Sequence, residues 1–361
     1  MTQKENENLE RVNQVKTALK LDDLKLYDVR ENPFRIYGLH EPEKGGNFNR
    51  LPDDVAKNVS ENVAMLAKHT AGGRVRFKTD SEYIVIKAIM KEITRFPHMP
   101  LTGTTGFDLY QNEGGIGIYK GSFIPPVDIT DGYESIIRFE SSIMRDITIH
   151  FPLYNDVQDL YVGLKENSKL EKADRYKHNK LILYYGSSIT QGGCASRPGN
   201  SYQNIISAKL GCDHLNLGFS GSALAEDAIV NYMASLEFDI FVCDYDHNAH
   251  NVEYLEKTHE KMFLKIREAK PKVPVVFMTK PDFDSYFNYN ILRRDVVYKT
   301  YMNAIKREDY NVYYIDGHSL FKDSNRDACT VDTCHPNDAG FVRMAEVLGH
   351  VLDGILRNTK K

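Results

Sequence analysis

Four short stretches of this chain carry residue types that do chemistry. In LILYYGSSITQGG, Leu181 to Gly193, an apolar run delivers Ser187 and Ser188 on a turn of small residues. In NLGFSGS, Asn216 to Ser222, a second run ends in glycine and serine. A third, FVCDYDHN, ends in Asp244, Asp246, His247 and Asn248, and DTCHP places Asp332 three residues before His335. Acyl transfer needs a hydroxyl nucleophile, a base, an acid to orient that base, and donors for the oxyanion. These stretches contain all four. His335 can deprotonate Ser188, and Asp332 can hold the imidazole in the right tautomer and stabilise the imidazolium. The amides of Gly221 and Ser188, with the Asn248 side chain, can form the oxyanion hole.

Other readings of the same residues are weaker. A lone serine at a strand-to-helix turn is usually an N-cap, but Ser188 comes with a base, an acid and donors. Ser187 reads as a structural hydrogen-bonder. No GxGxxG or GxxxxGK[ST] pattern supports a nucleotide loop. Asp244, Asp246, His247 and His250 invite a metal, yet neither HExxH nor a Cys/His zinc spacing occurs. Neither a catalytic metal nor a cofactor is therefore expected. Cys334 sits beside His335 on one loop, a poor position for a thiol nucleophile served by that histidine. Asp246 and His247 are expected at the pocket rim or holding the loop. The polar, aromatic segment Pro281–Tyr289 contains Phe283 and Tyr286, which could stack on a sugar; the chain has no tryptophan and 22 tyrosines for that purpose.

The elements that must position these groups have two different periods. After a polar N-terminal segment, Val55, Val59, Val63 and Leu66 mark one short amphipathic helix that Gly72-Gly73 ends. Period two follows: Val75 and Phe77, then Ile84, Ile86, Ala88 and Met90, with GIGIY, SIIRFES, RDITIHF and DLYVGL as further strands. Many short alternating strands predict a β-sandwich or jelly roll over 1–177. Arg50 and Arg76 are expected to be solvated or paired within it. A charged, exposed linker is read at Asp174–Lys180. Beyond it, LILYYG, HLNLGF, FDIFVCDYD, VPVVFMTK and VYYID alternate with helical periods, ending in a helix from Pro336. That alternation predicts a doubly wound parallel α/β sheet over 178–361. In such a fold the site lies at the carboxyl ends of the strands, where all four chemical stretches fall.

The bulk numbers exclude several classes. The chain has 361 residues, 42% hydrophobic and 27% charged, with net charge -4. No basic stripe suggests nucleic acid, and no apolar run suggests a membrane span or a secretory signal. Five cysteines without a CxxC pair favour reduced thiols, hence a cytoplasmic protein.

The serine, glycine, asparagine and DxxH blocks, in that order, resemble those of the SGNH (GDSL-type) hydrolases. The resemblance covers Lys180 to the C-terminus and implies a flavodoxin-like sheet, with Ser188 as nucleophile, Asp332 and His335 completing a triad, and Ser188, Gly221 and Asn248 as the oxyanion hole. Upstream, Gly106-Phe107-Asp108-Leu109-Tyr110 is similar to the GxDLY-type β-domain that precedes some SGNH esterases. This arrangement also resembles carbohydrate esterase family 2, in which a jelly-roll domain precedes the SGNH domain and the enzymes deacetylate plant polysaccharides. Two departures stand out. Ser187 replaces the aspartate of Gly-Asp-Ser, and Asp246-His247 replace the glycines that usually precede the asparagine. The resemblance implies a serine esterase removing O-acetyl groups from acetylated oligosaccharides such as mannan or xylan. A lipase or thioesterase acting on other esters is the alternative enzyme. A catalytically idle carbohydrate-binding protein is the alternative outside that class. A homo-oligomer formed through the β-domain is also compatible with the sequence.

Overall fold

The computed structural model describes residues 17–358, apart from 43–45, 47, 323 and 324. Most of the polar N-terminal segment (1–16) lies outside the described residues.

Among the described residues the period-two half forms ten strands: β1 (Leu24–Asp28), β2 (Arg35–Tyr37), β3 (Arg74–Thr79), β4 (Tyr83–Ile89), β5 (Phe107–Glu113), β6 (Ile116–Phe123), β7 (Gly132–Arg138), β8 (Arg145–His150), β9 (Asp159–Lys165) and β10 (Leu170–Glu171). They make a four-stranded antiparallel sheet, β1-β9-β4-β7, and a second antiparallel sheet, β10-β3-β8-β5-β6, with β2 on the free edge of β3. Alternation puts Val75, Phe77, Ile147 and Ile149 of one sheet against Ile84, Ile86, Val162 and Leu164 of the other. This is a β-sandwich whose core is built from one face of each sheet.

The single helix expected over Val55–Leu66 is two: α1 (Asp53–Val59) and α2 (Glu61–Leu66). Ser60 between them is extended, and its hydroxyl accepts from the Val63 amide at 3.1 Å, starting the second helix as it ends the first. Their buried Ala56, Val63 and Leu66 pack on the α/β half, in one cluster with Ile229 and Met233. One more turn, α3 (Leu101–Thr104), precedes β5.

The second half contains β11 (His178–Gly186), β12 (Cys212–Gly218), β13 (Ile240–Asp244), β14 (Val275–Met278) and β15 (Val312–Ile315). All pair in parallel, in the order β12-β11-β13-β14-β15. The helices are α4 (Ser188–Gln191), α5 (Tyr202–Leu210), α6 (Asp227–Ser235), α7 (Val252–Ala269), α8 (Phe287–Lys306) and α9 (Asp338–Asn358). Alternate residues of β11 serve opposite faces: Leu183 and Tyr185 join the core under α6, α7 and α8, while Ile182 and Tyr184 join the core under α5 and α9. A sheet covered on both faces needs continuous apolar strands, which is why the second half lacks the alternation of the first.

Local expectations are refined. The charged run Asp174–Lys180 is exposed at Asp174, Arg175, Lys177 and Asn179, as expected of a linker, but it is anchored at Tyr176 and His178. Tyr176 accepts from Arg74 Nε at 3.1 Å and lies 4.3 Å from the Arg76 guanidinium, and a buried His178 already begins β11. The final helix starts at Asp338 rather than Pro336, because Asn337 Oδ1 accepts from the amides of Ala339 and Gly340. The polar, aromatic segment Pro281–Tyr289 is irregular only at its start and enters α8 at Phe287. No described helix is long and apolar enough to cross a membrane.

Candidate active site

Sheet order reverses at β11: its successor β12 lies on one side and β13 on the other. The crevice at the carboxyl ends of these strands is where such sheets bind ligands. β11 ends in Gly186, where a side chain would collide with the Asp244 carboxyl and the Thr190 hydroxyl. Only glycine lets the chain turn so tightly over the end of β13. Ser187, not Ser188, is the cap: its hydroxyl accepts from the Ile189 amide at 3.2 Å. That frees the Ser188 hydroxyl, one residue into α4, and Gly192 in the left-handed conformation (φ 110) stops the helix after a single turn.

Ser188 Oγ lies 2.9 Å from His335 Nε2, and His335 Nδ1 lies 2.7 Å from Asp332 Oδ2. The DxxH spacing has a local cause. Asp332 Oδ1 accepts from the amides of Cys334 (3.1 Å) and His335 (2.7 Å), folding the loop so that Oδ2 meets the ring. Burial pushes the Asp332 carboxyl up, but the hydrogen bonds and charge of His335 outweigh it and hold it below the usual carboxylate range. The serine and histidine loops are tied together. The Cys194 amide donates to Pro336 O at 3.0 Å, and the Ser196 amide to Asp338 Oδ1 at 2.8 Å.

The glycine and asparagine blocks also meet. Asn248 Nδ2 donates to Phe219 O at 2.9 Å, leaving the second amide proton for another acceptor. Gly221 is left-handed (φ +66), with open space where a side chain would stand. The block is braced by Gln191, which sequence reading passed over. Its Oε1 accepts from the Ser220 amide at 3.0 Å, while its Nε2 faces Leu153 O at 3.2 Å and His69 Nδ1 at 3.1 Å. Burial and the Arg50 charge push His69 down to about 3, so it is neutral.

Asp244, behind Ser187, is buried and pushed up to about 8 by burial. It accepts from the Thr190 hydroxyl and, at 3.1 Å, from Tyr202. Asp246 is buried, pushed up to about 6 by burial, and accepts from the Lys280 amide at 3.2 Å. Its Oδ1 and the His247 Nε2 are buried atoms with no hydrogen-bond partner among the described residues. Burial, with the charges of Lys280, Arg293 and His335, holds His247 well below its ordinary value and keeps it neutral. The expected sugar-facing role of Phe283 is corrected. It is 1% exposed, its ring packed against Phe287 and His318, because α8 begins directly beyond the loop. Tyr286 stands 75% exposed at the start of α8.

The sandwich reaches the site directly. Tyr154 donates to Ser188 O at 3.1 Å, and the His98 ring lies 5.8 Å from that of His335. A cleft of about 530 Å³ opens beside the glycine block, between Ser220 and Ser222 on one side and Met65, Lys91, Phe96 and Tyr154 on the other. Arg50 is buried and does pair within its own half, donating to His69 O (2.8 Å) and Leu66 O (2.7 Å), and it also reaches Gly218 O (2.6 Å) and Asn216 O (3.1 Å) at the end of β12. Arg76 does pair within its domain, with Asp146 at 3.3 Å. Asp108 of the Gly106–Tyr110 motif is fully buried. It holds His150 Nδ1, Arg197 Nη1 and the Gly199 amide, each at 2.7 Å. Asp108 alternates with Phe107 and Leu109, which face the sandwich core, so its carboxylate lies on the other face of β5, against the α/β half.

A five-stranded parallel sheet with Ser, His and Asp side chains converging at its switch point defines a hydrolase of the α/β type. Residues 179–353 match the GDSL-like lipase/acylhydrolase family, and residues 24–170 match the N-terminal domain of SGNH-hydrolase-type esterases. The chain belongs to the GDSL-like (SGNH) esterases with a GxDLY-type N-terminal domain. No curated protein matches it in sequence. Among solved structures it is similar to a putative GDSL-like lipase from Bacteroides ovatus, with 22% identity and a TM-score of 0.82 over 92% of this chain and 98% of that one. A salicylyl-acyltransferase from a tetracycline biosynthetic pathway superposes with 18% identity and a TM-score of 0.73, over 91% and 96%. A family two carbohydrate esterase from Cellvibrio japonicus does so with 12% identity and a TM-score of 0.57, over 92% and 98%.

Proposed function

We propose that this esterase removes O-acetyl groups from acetylated carbohydrates through an acyl-enzyme on Ser188. The observation that carries the reading is the unbroken relay from Ser188 Oγ through His335 to Asp332, at 2.9 and 2.7 Å. Oγ attacks the ester carbonyl as His335 Nε2 takes its proton. The tetrahedral oxyanion is met by the amides of Ser188 and Gly221 and the free Asn248 amide proton, donors typically worth about 2.7–4 kcal/mol each. His335 returns the proton to the departing sugar hydroxyl. Water, deprotonated by the same histidine, then attacks the acetyl-serine and releases acetate. Asp332 stays ionised and stabilises the imidazolium in both halves. The unpartnered atoms of His247 and Asp246 are our candidates for contacts to the sugar hydroxyls.

Carbohydrate as substrate rests on the fold shared with a family two carbohydrate esterase and on a cleft whose charged rim alternates with apolar surface. One observation favours a second reading, a larger non-sugar acyl ester: Met65 and Phe96 are exposed in that cleft, at 55% and 36%. The fold shared with a salicylyl-acyltransferase agrees with it. Five free thiols, four of them buried, support cytoplasmic residence.

Acetate release from acetylated mannan and xylan oligosaccharides, with 4-nitrophenyl esters of increasing acyl length, tests the proposal. Ser188→Ala should abolish turnover and Ser187→Ala should leave a measurable rate. Preference for acetyl on sugar sustains the carbohydrate reading; preference for long or aromatic acyl groups replaces it with the second. Full activity in Ser188→Ala would remove the nucleophile assignment.

A further inference from the structure

His335 is built as a metal ligand as much as a base. Asp332 occupies Nδ1 at 2.7 Å and fixes the neutral tautomer whose Nε2 lone pair points away, the carboxylate–histidine arrangement that supports zinc. Two further donors stand beside it. One nitrogen of His98, the Sγ of Cys194 and one ring nitrogen of His335 all lie within 4.8 Å of one another. These residues come from three segments that the fold fastens together. Cys194 is tied to Pro336, next to His335, by its amide hydrogen bond of 3.0 Å. His98 belongs to the sandwich and is exposed, with its ring 5.7 Å from Phe96 and 5.8 Å from His335. Tetrahedral zinc needs its nitrogen and sulfur ligands about 3.5 Å apart. The exposed His98 ring is free to rotate toward the other two donors as an ion draws all three in.

We propose that His98, Cys194 and His335 form a site for a borderline-soft divalent cation of the Zn²⁺ class, whose occupation silences the esterase reversibly by capturing its base. Two imidazoles and a thiol select such ions over Mg²⁺ or Ca²⁺, which require oxygen. Binding exchanges the thiol proton of Cys194 for a metal–sulfur bond and releases that proton to solvent. It also replaces the Ser188–His335 hydrogen bond with a metal–nitrogen bond, leaving the hydroxyl without a proton acceptor. The Cys194 side chain is 4% exposed, so the thiol is shielded from bulk reagents. The inhibitory role rests on His335 acting as the base; the binding site does not.

The test uses the full-length, metal-stripped protein with Zn²⁺ and Co²⁺ as probes. Titration calorimetry is expected to show one Zn²⁺ per chain, and Co²⁺ to produce a thiolate charge-transfer band. Zn²⁺ should arrest 4-nitrophenyl acetate hydrolysis and EDTA should restore it. His98→Gln, with inhibition read against its own metal-free rate, should weaken Zn²⁺ binding and inhibition at least the roughly ten- to hundredfold that loss of a supporting partner costs. Cys194→Ala should erase the Co²⁺ band. No saturable binding in the wild type, or undiminished binding in both variants, would overturn the site. An intact band in a protein with no ester turnover would sink the esterase reading and leave the ion site standing.

Discussion

A buried carboxyl that keeps its proton lies directly behind the serine turn. Asp244 is fastened by the hydroxyls of Thr190 and Tyr202 and fills the space that Gly186 leaves open. Burial raises it to about 8, against about 3.8 for a free aspartate. Between those values the folded chain holds a proton that the unfolded chain has released, so this group makes stability fall as pH rises through that window. Its contribution is fullest below about pH 4 and is lost as pH climbs through the folded value. Asp244→Asn supplies a permanently neutral isostere. Its midpoint of thermal unfolding should therefore depend less on pH across this window than the wild type's. Parallel pH profiles for the two proteins would mean that Asp244 is ionised in the fold.

At the scale of elements, α4 is one turn long but carries the serine at its start and a brace at its end. Gln191 spends its carbonyl on the Ser220 amide and its NH₂ on Leu153 and His69. Thr190 O also ties α4 to β12, accepting from Asn216 Nδ2 at 2.7 Å, but the Gln191 side chain is the contact from α4 to Ser220, next to Gly221. Gln191→Ala is expected to lower kcat for 4-nitrophenyl acetate with little change in KM, approaching the roughly 10²- to 10³-fold cost of an oxyanion donor. An unchanged kcat would show that the glycine block holds its place through Asn248 and Phe219 alone. The same logic explains Thr333, a β-branched residue at φ 62 between Asp332 and His335. Its strained conformation is held by the Asp332 hydrogen bonds that present the imidazole.

For the whole molecule, the sandwich is part of the α/β half's structure rather than an appendage. Arg50 caps carbonyls at the end of β12, α1 and α2 share a core with α6, and Asp108 clamps the loop at Arg197–Gly199. Burial alone would push Asp108 up, but the charges of His150 and Arg197 outweigh it and hold it below the usual range. Its contribution is therefore present above the unfolded carboxylate pKa and lost as pH falls through the folded value. Asp108→Ala leaves Arg197 and His150 without their shared anion and should cost about 3–5 kcal/mol, read by denaturant unfolding at neutral pH. A loss below about 1 kcal/mol, the scale of an exposed pair, would mean that the halves do not depend on this clamp.

The sequence by itself determined the period-two half, the parallel α/β half, and the four stretches holding Ser188, Gly221, Asn248, Asp332 and His335. Each is a local signal: strand alternation, strand–helix alternation, or chemistry at a strand end. One further assignment, the Asp332–His335 contact, is also short-range and so was readable, whereas the cap raised for Ser188 belongs to Ser187. Tertiary structure alone decided the rest, because it depends on residues far apart in the chain. The burial of Phe283 required knowing where α8 begins and what packs beneath the loop. Arg50 found partners 166 and 168 residues away. His98 and Cys194 have no sequence spacing to His335 that would name them, yet folding sets all three side by side. Periodicity records which face of an element is buried, but not which distant element buries it.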